Sequence, residues 1–431
     1  MQTTNKPSKT KIAITVVIAI CIAIVIFFFG FGTFYLTLSP AQREAMWFIG
    51  NVDKHYLCYD EESGEIKSFT AEDYLEKLSE LVDVYSTYYT KEEYTEVIST
   101  SKGNRYGIGL YFSLDGSSKI VGVAGNSPAK KSQVKIGSVI KSVNYNGTVI
   151  NVANFDEFSV AVNAIPESTD FTITVDYNGV LEDYTLSKRI YIESYVEYFD
   201  NAERYAFESD YGLSPTDKKE PSSKMNNLAD DTAYISLSGF ESVSAEQFGK
   251  AITYATQKGK TKLILDLRGN GGGYMDVLQK TAEYLIKSQV NRTLVAVAKY
   301  KNGTSTEFYT STCRYQQLET VVLADDGSAS ATECLIGAML THGTLDKDHF
   351  VAVKSGAESL AHTYGKGIMQ TTYPNVFSGS AVKLTTAYIF WPDKTTNIHG
   401  KGIFATAENS VAPNSLGQDY AVNRAIEILA N

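Results

Sequence analysis

Residues Ile12 to Leu38 carry no charged side chain, and about 20 apolar residues suffice to cross the hydrocarbon core of a bilayer. The run predicts one transmembrane helix over 12–38. A cleaved signal peptide has a shorter apolar core, about 7–15 residues, and no small-x-small cleavage site follows. From 39 to 102 the pattern turns helical: Leu75, Leu78, Leu81 and Val82 recur at three- and four-residue spacing. Thr90 with Glu93 reads as a capping box for the next helix. From 103 to 190 short β-type runs follow one another, at IGLYF, KIVGVA, SVIKSVNYNG and FTITVDYN. Residues 191–230 are polar and read as a linker or surface insertion. From 231 to 431 strands and helices alternate. Ala233–Leu237, Lys262–Leu267 and Thr320–Ala324 read as strands, and Ser244–Gln257 and Tyr274–Ile286 as helices. Strand, glycine turn and helix in repetition predict an α/β core.

Charge adds direction to this picture. Lys6, Lys9 and Lys11 precede the apolar run with no acid among the first eleven residues, which places 1–11 in the cytoplasm and the rest outside. Phe34 and Tyr35 fit an interfacial belt at the outer end. The whole chain of 431 residues has 39 Lys+Arg against 49 Asp+Glu, a net charge of −10. Removing the three lysines of the stub leaves 36 basic against 49 acidic residues outside, a net of −13. An acidic body argues against nucleic-acid binding, which draws on basic surface. Of the four cysteines, Cys21 lies in the apolar run. Cys58, Cys313 and Cys334 form neither a disulfide framework nor a CxxC metal knuckle. The five histidines make no HExxH pair. No metal and no cofactor is expected.

Tyr106-Gly107-Ile108-Gly109-Leu110, then Asn126-Ser127-Pro128-Ala129 and the run Val134–Ile140, resemble a PDZ domain in this order. That resemblance implies that Gly107, Ile108, Gly109 and Leu110 present backbone amides to a peptide carboxylate while the peptide adds a strand.

Asp266-Leu267-Arg268-Gly269-Asn270-Gly271-Gly272-Gly273 ends a buried-type strand. It lacks the lysine and spacing of a nucleotide loop. Such a turn at a helix start offers backbone N–H groups to a nascent oxyanion. Ser330 follows another strand and opens a helix. With Glu333 it also satisfies the S-x-x-E capping box, a purely structural reading. Two more segments join these: Tyr364-Gly365-Lys366-Gly367-Ile368-Met369-Gln370, and Lys383–Tyr388 followed by Asn397-Ile398-His399-Gly400-Lys401-Gly402. The four motifs, in this order, closely resemble the carboxyl-terminal processing peptidases, the tail-specific serine proteases. VYSTYYTKEEY is similar to that family's helical amino-terminal segment, and AVNRAIEIL to its closing helix.

The resemblance implies an α/β protease core preceded by a PDZ-like β-rich domain, a helical amino-terminal segment and one transmembrane helix. It assigns Ser330 as nucleophile, with Ser328 the lesser candidate, Lys366 as general base and Gln370 as the group orienting the lysine. It assigns Gly272 and Ala331 as oxyanion donors. A lysine serves as base only if desolvation lowers its pKa from about 10.4 towards neutrality. The glycines beside Lys366 allow close packing, and Tyr364, Ile368 and Met369 are candidates for an apolar wall. The expected partners are proteins or peptides with accessible C-termini and the membrane; a homo-oligomer stays open. Two other readings stand beside this one: a catalytically silent PDZ scaffold, and a Ser-His-Asp hydrolase using His362 or His399, neither of which has a clear orienting acid. Cys334 reads as a small core residue. The chain between His342 and Gly365 is about ten residues longer than the family spacing, near Gly356–Thr363. This is either a surface loop or a displacement of Lys366 from Ser330.

Overall fold

The computed structural model describes residues 33–57, 66, 83–101, 104–113, 116–124, 126–201, 204–208, 212–213, 227–241, 243–287, 292–356, 358–414 and 418–430. The expected anchor lies outside these residues except for its end, where Thr33–Thr37 is helical. The leucine-rich stretch around 75–82 lies outside them too. Among the described residues no helix is long and apolar enough to cross a membrane. The chain divides into two compact units, 1–92 with 370–385, and 93–369 with 386–431.

The smaller unit is built around the helix Pro40–His55. Its first turn is closed by a reciprocal pair, Gln42 N–H to Ser39 Oγ and Ser39 N–H to the Gln42 side chain, with Pro40 at the start where no N–H is needed. Val52 and Tyr56 bury against Val382 and Leu384. The strand Thr87–Tyr89 pairs antiparallel with 381–383.

In the larger unit, the strands Val196–Phe199, Thr232–Leu237, Lys262–Asp266, Glu319–Ala324, Phe350–Val353 and Ser410–Val411 lie side by side in one sheet. From Thr232–Leu237 onward all neighbours are parallel. Side chains alternate across a strand, and both faces here are covered. Ala233, Ile235, Leu263, Leu265 and Val322 pack with the helices Ser244–Gln257, Met275–Leu285 and Ala331–Thr341. Tyr234, Ile264, Val321 and Leu323 pack with the closing helix Tyr420–Leu429. Burial on both faces explains why these strands read as unbroken apolar runs. The expected linker 191–230 is corrected in part: Val196–Phe199 pairs with Thr232–Leu237 and is a strand of the core sheet.

The segment 104–192 has its own core of Ile108, Ile120, Ile140, Phe158, Phe171, Ile173 and Leu186. A four-stranded antiparallel sheet (148–151, 139–145, 170–177, 180–187) and the helix Phe155–Asn163 enclose it.

Candidate active site

The site forms where two neighbouring parallel strands, Lys262–Asp266 and Glu319–Ala324, end and hand their chains to helices. The two turns are stitched together. Ala329 N–H donates to Asn270 O at 3.0 Å, and Thr332 Oγ1 to the same carbonyl at 2.7 Å. Asp325 Oδ1 accepts the amides of Gly269 and Gly327 at 2.8 and 3.0 Å. Asn270 is fully buried; its side chain donates to Leu237 O at 2.8 Å and accepts Gly272 N–H at 3.0 Å.

Ser330 is held at φ 59°, ψ −115°, immediately before the helix Ala331–Thr341. This is a costly backbone conformation for a residue with a side chain. A Cβ at Gly272 would lie 2.8 Å from Ser330 Cβ and 2.9 Å from Ala331 N, so only glycine lets the two turns approach this closely. Ala331 N–H, at the first helical position, has no hydrogen-bond partner among the described residues. It points out of the positive end of the helix dipole, where developing negative charge is favoured. Gly272, the other expected oxyanion donor, is brought against Ser330, but in this structure its amide is engaged by Asn270. Ser328 is separated from Ser330 by its surroundings: its hydroxyl is buried, donates to Leu267 O at 2.8 Å and accepts Asp325 N–H at 3.0 Å.

Lys366 arrives on a third segment, tied to the Ser330 turn through Glu333. That carboxylate is fully buried and accepts four donors. Ser330 N–H comes to Oε2 at 2.9 Å, Lys366 N–H to Oε2 at 2.8 Å, Gly365 N–H to Oε1 at 2.7 Å, and the Thr363 hydroxyl to Oε1. Burial still lifts its pKa above the ordinary carboxyl value, against the pull of these bonds. Tyr364 N–H adds a bond to Ser328 O at 3.0 Å. The extra segment before Lys366 is an exposed loop that re-enters at the buried Ala361 and Thr363. It leaves the Lys366 backbone fastened to the Ser330 helix.

The glycines beside Lys366 pack as expected: a Cβ at Gly365 would lie 2.8 Å from Gly402 N, and one at Gly367 2.6 Å from His399 N. Of the apolar wall, Ile368 is buried and Met369 packs on the core, whereas Tyr364 is exposed. Gln370 falls in the smaller unit, where its side-chain amide donates to Thr385 Oγ1 at 3.0 Å.

His362 does have an acid beside it, contrary to the sequence expectation: Nε2 lies 3.1 Å from Glu358. Its Nδ1 is 2.6 Å from Thr363 O. That carbonyl and Glu358 together raise its pKa. Both ring nitrogens are thus occupied, leaving none to take a serine proton. His399 lies edge-on to Tyr388. Cys334 is a buried core residue whose thiol pKa burial pushes up, the opposite of a reactive thiolate.

Gly107 to Leu110 form one wall of a groove of about 430 Å³, with Phe112, Phe155, Phe158 and Val162 among its lining. Ile108 and Gly109 direct their carbonyls inward, to Ala129 and Ala124. A Cβ at Gly109, φ +77°, would strike Ser127 Cβ at 2.1 Å. A second cleft, about 680 Å³, runs from Arg105, Tyr111 and Glu193 to Gly271–Gly273. Arg105 and Tyr111 both bond Glu193, at 2.7 and 2.5 Å. These residues and Glu333 escaped the sequence reading; only the S-x-x-E spacing signalled Glu333, and it signalled a cap.

Residues 231–408 match the profile of peptidase family S41. A protein of Staphylococcus saprophyticus described as a probable CtpA-like serine protease is 28% identical over 374 residues, 85% of this chain and 66% of that protein. A protein of the same description from Staphylococcus aureus is 28% identical over 348 residues, 80% of this chain and 60% of its own length. The chain therefore spans less than two thirds of the length of these relatives. A solved structure of an S41 protease from Bacteroides fragilis aligns with a TM-score of 0.53 over 89% of this chain and 97% of that one, at 15% identity. That is a likeness of fold.

Proposed function

We propose, for a chain whose residues 231–408 match the profile of peptidase family S41, a membrane-anchored serine endopeptidase that cleaves exported proteins near their C-termini. Ser330 Oγ attacks the scissile carbonyl, and Lys366 takes its proton and returns it to the leaving amine. An acyl-enzyme forms and water releases it. The oxyanion accepts Ala331 N–H at the helix start. The Gly272 amide serves as second donor once it leaves Asn270. Gln370 steadies the lysine. The segment 103–190 acts as a PDZ domain, taking the substrate tail along Gly107, Ile108, Gly109 and Leu110. The run 12–38 spans the cell membrane, with the body outside.

The observation that carries the reading is the Glu333 carboxylate, which binds the backbone of Ser330 and of Lys366 at once. The test uses detergent-solubilised full-length protein and an unstructured substrate whose cut sites are mapped. Ser330→Ala and Lys366→Ala each lose cleavage, the lysine variant by about 10²–10⁴-fold as expected for a missing general base, with unchanged thermal midpoints. A Lys366→Ala enzyme turning over at the wild-type rate would remove the dyad.

A catalytically silent scaffold is the second reading, favoured by the bond from Gly272 N–H to Asn270. Acylation of Ser330 by a fluorophosphonate separates the two, since a silent scaffold stays unlabelled.

A further inference from the structure

The hairpin joining the strands Ile368–Pro374 and Ala381–Phe390 carries two neighbouring apolar residues at its tip, Val376 and Phe377, which are 84% and 91% exposed. Their place along the helix Pro40–His55 gives them meaning. Leu57 N–H bonds Thr385 O at 2.7 Å. Val52 and Tyr56 pack against Leu384 and Val382. Glu44 accepts Asn375 Nδ2 at 2.9 Å and the Ser380 hydroxyl. Followed from the end of the helix back to its start, these contacts run down the strand from 385 to 380. The loop 376–379 therefore points along the helix towards its first residues and the end of the apolar run at Leu38.

The junction there is fixed. Arg43 Nε bonds Leu38 O at 3.1 Å, and its guanidinium lies 5.7 Å from the centre of the Tyr35 ring. Glu44 is four residues into the helix from Pro40, about 6 Å at 1.5 Å per residue, and the non-helical Leu38 and Ser39 precede that helix. The headgroup layer is about 5–8 Å thick on each side of the hydrocarbon. A tip extending from Glu44 towards Leu38 reaches that depth. Arg43 sits at the helix start, and Lys91 lies against the loop, its Cγ 3.0 Å from where a Gly379 Cβ would stand, with Glu92 and Glu93 next to it in the chain. The Glu44 carboxylate at the loop base is taken up by Asn375, Ser380 and Tyr88.

We infer that Val376 and Phe377 form a second membrane contact, a wedge seated at the boundary of headgroups and acyl chains beside the anchor. Apolar side chains at this depth are the pattern of interfacial binding. The inference rests on the anchoring reading above.

The test uses full-length protein reconstituted in phosphatidylcholine vesicles containing phosphatidylglycerol, with Phe377→Trp against the wild-type background of Trp47 and Trp391. The added emission should shift to shorter wavelength, resist acrylamide and be quenched by lipids brominated near the carbonyl end. Adding Val376→Asp should reduce that quenching. An added indole quenched by acrylamide and untouched by bromolipid overturns the wedge. So does protection that appears in detergent without lipid and grows with protein concentration, which would seat a second copy there. An alkaline carbonate wash separates the two failures. Protein that stays in the membrane with its added indole in water sinks only the wedge, whereas protein that washes off removes the anchor and the wedge together.

Discussion

Glu333 holds three backbone amides and a hydroxyl on two oxygens, and that arrangement sets what can replace it. Glutamine keeps one acceptor oxygen and turns an NH₂ towards two remaining donors. Each buried donor left unmatched costs about 1–3 kcal/mol. Glu333→Gln should therefore lower the thermal midpoint, and cleavage should fall further than stability accounts for, because Ser330 and Lys366 lose their shared brace. Activity measured well below the midpoint, beside a melting curve, checks this. Ser330 offers the converse. Its φ of 59° costs about 1–3 kcal/mol for a residue with a side chain. Ser330→Gly should raise the urea midpoint, with unchanged slope, while abolishing cleavage; Ser330→Ala should abolish cleavage without that gain. The two glycine and serine turns were legible as strand-to-helix turns because each motif is contiguous, although the S-x-x-E spacing at Ser330 reads equally as a helix cap. The role of Glu333 was not, because its other donors, Thr363, Gly365 and Lys366, lie some thirty residues further along the chain.

At the level of elements, Arg268 shows how the glycine turn is tied to the closing helix. Its guanidinium bonds Asp266 Oδ1 at 3.0 Å through Nε, and both oxygens of Asp419 at 2.9 and 3.0 Å. Asp419 also caps the helix by accepting Val422 N–H at 3.2 Å. Burial alone would raise the Asp419 pKa, but the hydrogen bonds and charge of Arg268 prevail and hold it below the ordinary 3.8. A depressed carboxyl stabilises the fold fully above its unfolded value and loses that contribution as pH falls through its folded value. Asp419→Asn should accordingly destabilise by about 3–5 kcal/mol at neutral pH, the cost of breaking a buried pair. It should also flatten the loss of stability below about pH 4 seen in wild-type denaturant titrations. The strands and helices from Thr232 to Thr341 were legible from period and glycine punctuation. Val196–Phe199 was not: Glu197 sits among Tyr and Phe in a polar stretch, and only its pairing with Thr232–Leu237 makes it a core strand.

For the molecule as a whole, charge and chain path carry the predictions. If the proposed anchoring holds, with a stub of +3 and a body of −13, protease added to intact cells should digest the body and leave a small membrane-bound fragment. Protection of the body until the cells are lysed would reverse that orientation. The smaller unit has a different consequence, one of timing. The helix Pro40–His55 completes its packing with residues 380–385, so Val52 and Tyr56 wait for a partner made over three hundred residues later. At about 5–20 residues per second that is roughly 15–65 s of synthesis. Throughout it, an apolar helix face stands uncovered next to the segment read as an anchor, and the chain emerges without the hairpin that closes over this helix. Pulse-labelled chains stalled before residue 370 should remain protease-sensitive at Pro40–His55, and those stalled after the hairpin has fully emerged should not. A helix made early in synthesis is thus completed by a hairpin made late.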